Sequence, residues 1–170
     1  MRIISGRHRG RKLRLPKHRI RPTADRVKEA LFSILSPEIP GARVLDLFAG
    51  TGSLGLEALS RGASSVCFVE VARAAEKTLR ENVEILGEND NVEIVRADAL
   101  RFAASLESGY FDVAFADPPY EEGYAARLAD AFRARPFARI LCLEHRTGEL
   151  KGADDIRKYG DTELSFFRGS

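Results

Sequence analysis

Cysteine is scarce in this chain: Cys67 and Cys142 are the only two among 170 residues, and each lies inside an apolar run. That placement favours buried, reduced thiols and argues against a disulfide framework or a metal cluster. No Cys/His spacing suits zinc either. Long apolar runs are also missing. No stretch approaches the ~18 residues of a membrane span. The opening Met1-Arg2-Ile3-Ile4-Ser5 lacks the apolar core of a signal peptide. These absences point to a cytoplasmic protein with no membrane partner. Acidic residues, finally, are nearly absent from the first 28 positions, where Asp25 alone stands against eleven lysines and arginines.

That last deficit makes the overall charge of +2 misleading. Residues 1–28 carry +10 and the remaining chain −8. A basic block on an acidic body has a direct use in phosphate neutralisation with counterion release, the alternative being a solvated arm. At 44% hydrophobic and 31% charged residues, 170 positions suit one compact domain. The division expected is a basic extension over residues 1–22 and a catalytic domain over residues 23–170, monomeric as the simplest arrangement.

Within the extension, Arg2-Ile3-Ile4-Ser5 and Lys12-Leu13-Arg14-Leu15, separated by Gly6 and Gly10, predict a β-hairpin with cations on one face. Pro16 and Pro22 bracket a loop, Thr23 is a helix N-cap candidate, and Val27, Ala30, Leu31, Ile34 and Leu35 recur at helical spacing before Pro37. From there strands alternate with helices. Strands are expected at residues 44–47, 66–70, 92–95, 111–116 and 140–143, with helices at about 53–61, 75–86, 100–106 and 128–132. Near-continuous apolar strands between helices argue for an α/β, doubly wound, Rossmann-like fold with a parallel sheet covered on both faces. The tail departs from this pattern: Ile156 to Tyr159, the Gly160-Asp161 turn and Glu163 to Phe167 predict a closing hairpin that brings in an antiparallel strand.

Two constellations carry chemistry. In the first, Gly50, Gly52 and Gly55 form G-x-G-x-x-G between a strand and a helix, where backbone can approach a nucleotide-like ligand. A dinucleotide enzyme, or a tight turn with close helix packing, would show the same glycines. Asp46, inside the strand, and Asp98, after the third strand, lean towards S-adenosylmethionine. Asp46 can order the loop or receive the ligand's ammonium end. Glu70, at the end of the second strand, can accept both ribose hydroxyls. Asp98 can accept from an adenine amino group, and an N-cap role is compatible with that. With their neighbours, the candidate cofactor residues are Asp46, Phe48, Gly50, Thr51, Gly52, Gly55, Glu70, Asp98 and Ala99.

The second is Asp117-Pro118-Pro119-Tyr120, directly after the fourth strand and so expected in the same crevice. An exocyclic amine on a base is a poor nucleophile because its lone pair is conjugated. A carboxylate and a carbonyl accepting its two N–H bonds favour a more tetrahedral nitrogen, and acceptors placed in advance act without reorganisation. Asp117 and the Pro118 carbonyl are the candidates. The two prolines stiffen the loop, and Tyr120 offers a face for a base rotated out of its stack. Methyl transfer from a sulfonium requires no metal, because the leaving group is already activated.

These residues resemble the class I amino-methyltransferases. The arm sharpens the likeness: Gly6-Arg7-His8-Arg9-Gly10-Arg11-Lys12-Leu13 and Arg21-Pro22-Thr23-Ala24-Asp25-Arg26-Val27-Lys28-Glu29-Ala30-Leu31-Phe32, together with Tyr159-Gly160-Asp161-Thr162, are similar to the bacterial RsmD family. The resemblance covers nearly the whole chain, although the segment from Ala134 to Lys151 is short. It implies a seven-stranded sheet with the last strand antiparallel and cofactor contacts from the glycine loop, Glu70 and Asp98. It also implies catalysis at Asp117 to Tyr120, methylation of guanine N2, and a substrate in the small ribosomal subunit or its assembly intermediate. Arg7, Arg9, Arg11, Lys12, Arg21 and Arg26 are the candidate RNA-binding residues, with His8 and His18 as phosphate contacts, while His145 either lines the crevice or is exposed. Alternatives are a DNA adenine-N6 methyltransferase, for which 170 residues leave little room for a recognition domain, an NAD-dependent oxidoreductase, and a non-catalytic RNA-binding assembly factor.

Overall fold

The computed structural model describes residues 1–15, 24–120 and 123–170. Helix α1 (Ala24–Leu35) leads through a 3₁₀ turn at Ser36–Glu38 into strict alternation. The elements that follow are β1 (Arg43–Leu47), α2 (Ser53–Ser60), β2 (Ser65–Val69), α3 (Arg73–Leu86), β3 (Val92–Val95), α4 (Ala99–Ser105), β4 (Phe111–Ala116), α5 (Tyr124–Ala134), β5 (Ala138–Arg146), β6 (Asp155–Tyr159) and β7 (Thr162–Arg168). The strands form one seven-stranded sheet in the order β3-β2-β1-β4-β5-β7-β6. The first five in that order are parallel, and β7 runs antiparallel between β5 and β6.

The central strands are mostly apolar, Asp46 of β1 and Asp112 of β4 apart, because both sheet faces are covered, and successive side chains serve opposite layers. Val44, Phe68, Val113, Phe115 and Ile140 pack on the side of α1, α2 and α3. Leu45, Val69, Ala114, Leu141 and Leu143 pack on the side of α4 and α5. Ring pairs anchor both layers, Phe32 with Phe115 at 5.4 Å between centroids and Phe132 with Phe137 at 5.2 Å. Each fully buried ring of this kind stabilises the fold by roughly 1.5–3 kcal/mol. Strand β5 is longer than its apolar run Ile140 to Leu143 because β4 and β7 pair with it from both sides, β7 as far as Arg146.

The basic N-terminus is drawn into the body of the fold. Residues 1–15 hold two antiparallel segments with a single isolated bridge, Arg2 to Lys12. Ile3 and Leu13 are buried in the α1–α2–α3 layer, so these residues share the core of the rest of the chain. Instead of a longer ladder, Ile4 and Ser5 donate their N–H groups to the buried Glu57 carboxylate on α2. The expected boundary at residue 22, the prolines at 16 and 22, His18, Arg21 and the Thr23 cap lie outside the described residues.

Candidate active site

Strand order reverses between β1 and β4, the place where open α/β sheets bind ligands beyond the strands' carboxyl ends. A crevice of about 1050 Å³ opens there. From the sequence candidates it gathers Phe48, Thr51, Glu70, Asp98, Ala99 and the whole run from Asp117 to Tyr120. Asp46 and the three motif glycines do not line it; Asp46 pairs with Gly55, and Gly50 N–H anchors Glu70.

Asp46 is fully buried, and its Oδ2 accepts the Gly55 N–H at 2.9 Å. The carboxylate therefore secures the first turn of α2 to β1. Burial holds its pKa well above the usual carboxylate range, the Asp117 and Glu70 charges add to the rise, and the Gly55 N–H opposes it. Gly55 is required sterically, since a Cβ there would stand 2.3 Å from the Phe68 ring. Phe48, which starts the loop, adopts a left-handed φ of 56°. Such a conformation stores on the order of 1–3 kcal/mol of strain, of a kind that gathers at functional sites. Its ring lies edge-on to Tyr124 at 5.5 Å.

Glu70 is anchored by two backbone donors: Oε2 accepts Gly50 N–H at 2.7 Å and Oε1 accepts Ala72 N–H at 2.9 Å. Each oxygen retains one lone pair, the capacity needed for two vicinal hydroxyls. Asp98 caps α4 by accepting Arg101 N–H at 2.9 Å through Oδ1. Its expected N-cap geometry thus coexists with a place in the crevice wall. Val71, 65% exposed, and Ala97 bring apolar surface beside these two carboxylates. An apolar slot flanked by an acceptor for an amino group and an acceptor for a diol fits the adenosine part of S-adenosylmethionine. The volume is at the upper end of ordinary ligand sites, which run to roughly 1,000 Å³, leaving space for a second planar group.

Asp117 and Pro119 are exposed at the crevice, Pro118 is buried, and Tyr120 is half-buried. Lys28, Tyr124, Glu144 and Thr162 also line the wall, and sequence reading did not select them. Lys28 was legible only as one cation among eleven, yet it is 4% exposed, with Nζ 3.2 Å from Ser53 Oγ and 3.5 Å from Glu57. Burial pulls its pKa below the ordinary lysine value, against the opposing pull of Glu57. His145 follows neither of its two expected placements. It is fully buried, with Nδ1 2.9 Å from the Arg146 carbonyl and Nε2 2.7 Å from Ser165 Oγ. Strand alternation turns it away from the crevice that its neighbour Glu144 lines.

The N-terminal cations divide into two sets. Arg7 and His8 both engage Glu88, Arg11 donates to the Ile85 carbonyl, and Arg14 pairs with Glu81. These four fasten the segment to the end of α3. Arg9, Lys12 and Arg26 are exposed without an ion pair to a described residue, and Arg2 and Lys12 reach the crevice mouth. Both cysteines are buried free thiols, with Cys67 pushed up to about 12 and Cys142 well above the ordinary thiol range by burial. Among the described residues no cluster is arranged to hold a metal, and no helix is long and apolar enough to cross a membrane.

The family model described as "Conserved hypothetical protein 95" matches residues 1–168. The chain belongs to this family, the RsmD family. Ribosomal RNA small subunit methyltransferase D of Escherichia coli K12 is 44% identical to it over 124 residues, 72% of this RsmD-family chain and 62% of the relative. The matched region thus spans less than two thirds of that relative's length. A hypothetical protein of Thermus thermophilus superposes with a TM-score of 0.85 at 31% identity, covering 99% of both chains. The Thermus thermophilus 16S rRNA N2 G1207 methyltransferase, solved with AdoMet and guanosine, shares the fold with a TM-score of 0.69 at 24% identity, over 92% of this chain and 45% of its own. The fold of this RsmD-family chain is thus the class I methyltransferase fold.

Proposed function

We propose that the chain transfers a methyl group from S-adenosylmethionine to the exocyclic N2 amine of a guanine in small-subunit ribosomal RNA. One observation carries the reading: the Asp117 to Tyr120 loop opens into the same crevice as the Glu70 and Asp98 carboxylates. The name of the Escherichia coli relative supports ribosomal RNA as the target, and the nature of the loop supports an amino nitrogen. When bound, the cofactor supplies a methyl group on a sulfonium sulfur that departs as a neutral thioether.

In this reading Glu70 would receive the ribose hydroxyls and Asp98 the adenine amine, in the crevice that Asp117 also lines. The Asp117 carboxylate and the Pro118 carbonyl accept the two N–H bonds of the guanine amine and draw its lone pair out of conjugation. Methylation of that nitrogen would leave it with a surplus proton, which Asp117 can accept and pass to water. Tyr120 supports the base from one side. The exposed Arg9, Lys12 and Arg26 meet the RNA backbone.

Tritiated methyl transfer to small ribosomal subunits and to their free RNA, followed by nucleoside analysis, tests this. Label on N2-methylguanosine is expected, and Asp117→Ala should abolish it while calorimetric cofactor binding stays within about 3-fold, roughly 0.7 kcal/mol. Label on N6-methyladenosine, or full turnover by Asp117→Ala, would overturn the proposal.

A further inference from the structure

Two residues further along the chain hold Tyr120. Its hydroxyl is 3.1 Å from Oγ1 of Thr162, the first residue of β7. The Arg146 guanidinium, at the end of β5, is 5.5 Å from the Tyr120 ring centroid. Both partners are themselves fixed. Thr162 is in register with Arg146 on one side and Tyr159 on the other. Across the adjoining turn, Thr147 donates its N–H to the Asp161 carbonyl at 2.9 Å and its hydroxyl to the Gly160 carbonyl at 3.1 Å. The two prolines before Tyr120 restrict its backbone, but they leave its side-chain torsions to be set by contacts. A hydrogen bond at the phenol tip and a cation over the ring set both the direction and the plane of the ring.

We propose that Thr162 and Arg146 are positioning residues for Tyr120, so that the β6–β7 hairpin forms part of the target-base site. The proposal rests on the reading above, in which Tyr120 supports the base to be methylated. It assigns a role to the start of β7 that the 42 residues between Thr162 and Tyr120 conceal. The physical effect is preorganisation: a stacking ring that wanders lets the amine drift from the methyl carbon, and a displacement of ~1 Å can cost on the order of 100-fold in rate.

The test uses the full chain with Thr162→Val, which removes the hydroxyl at near-constant volume, Thr162→Ser, which keeps it, and Tyr120→Phe. Tyrosine is present four times, so ring-labelled tyrosine gives a countable NMR spectrum in which the Tyr120 lines are those that vanish in Tyr120→Phe. Thr162→Val is expected to move or broaden the Tyr120 lines while leaving those of Tyr110 in place, and Thr162→Ser to restore them. In methyl transfer to RNA, Thr162→Val should lower kcat by roughly 10-fold or more with the cofactor KM unchanged. Thr162→Ser should recover most of that loss, and Thr162→Val should add little in a Tyr120→Phe background. Tyr120 lines unchanged by Thr162→Val, equal slowness of the Val and Ser variants, or losses that multiply in the double variant would each overturn the proposal. If the parent chain methylates no guanine, the functional reading fails, and the Tyr120 lines still decide whether the hairpin holds the ring.

Discussion

Replacing Glu57 should release the N-terminal segment from the crevice. Glu57 is on α2 and fully buried, yet it serves four donors. Ile4 N–H is 2.9 Å from Oε2 and Ser5 N–H 3.0 Å from Oε1. Arg61 Nε is 2.9 Å away, and Lys28 Nζ, itself 4% exposed, is 3.5 Å away. In Glu57→Ala two backbone donors lose their acceptor, at about 1–3 kcal/mol each when buried. A buried ammonium also loses its counter-ion, which by itself costs roughly 3–5 kcal/mol. The groups share one site, so these losses overlap instead of adding, and a net destabilisation of about 4–5 kcal/mol is expected. That is a large part of the ~5–15 kcal/mol that holds most domains together. Glu57→Gln keeps an acceptor oxygen for the backbone but presents amide hydrogens to Lys28, so a loss near 2 kcal/mol is expected. Urea unfolding followed by circular dichroism gives the stabilities. Trypsin cleavage after Arg7 and Arg9 reports release of the segment, which should precede global unfolding in Glu57→Ala. Because Arg2 and Lys12 line the crevice mouth, the same variant should raise the RNA KM. A loss below about 1 kcal/mol in Glu57→Ala, within the range of an exposed pair, would refute the assignment of this carboxylate as the clamp.

Three further outcomes are expected. Asp46→Asn keeps an acceptor for Gly55 N–H and removes the buried charge. The folded-state pKa of Asp46 is raised, so its contribution to stability is fully present below the unfolded carboxylate value and is lost as pH rises through the folded one. The asparagine variant should therefore be more stable than the parent at about pH 8, with the advantage shrinking below about pH 4, where both states are protonated. Urea midpoints that differ equally at both pH values would contradict this. Charge reversal at Arg9 and Lys12 should weaken RNA binding and lower the salt slope by roughly 0.7 for each single-strand phosphate that is no longer neutralised. Arg7→Glu should act first on thermal stability, since Arg7 faces Glu88; filter binding across a salt series, beside melting curves, separates the two.

The strand–helix alternation was legible because most of the parallel strands are apolar on both faces and several helices end at a recognisable stop, as α3 does at the left-handed Gly87. The two-residue turn at Gly160 and Asp161 likewise marked the closing hairpin formed by β6 and β7. The place of the Asp117 to Tyr120 run in the crevice was readable because it directly follows a strand, and the doubly wound fold sends such loops to one edge. Tertiary structure decided what depends on partners distant in sequence. Asp46 and Gly55 serve each other instead of lining the crevice. Arg7, His8, Arg11 and Arg14 fasten to α3 and its end, because Glu81, Ile85 and Glu88 lie 67 to 81 residues away along the chain but adjacent in space. His145 is fully buried, its ring bonded to Ser165 of the neighbouring strand β7. Local pattern determines which elements form and which residue types stand at strand ends. Which cation meets solvent, which carboxylate is consumed by backbone, and which hydroxyl steadies Tyr120 follow only from the long-range packing that brings them together.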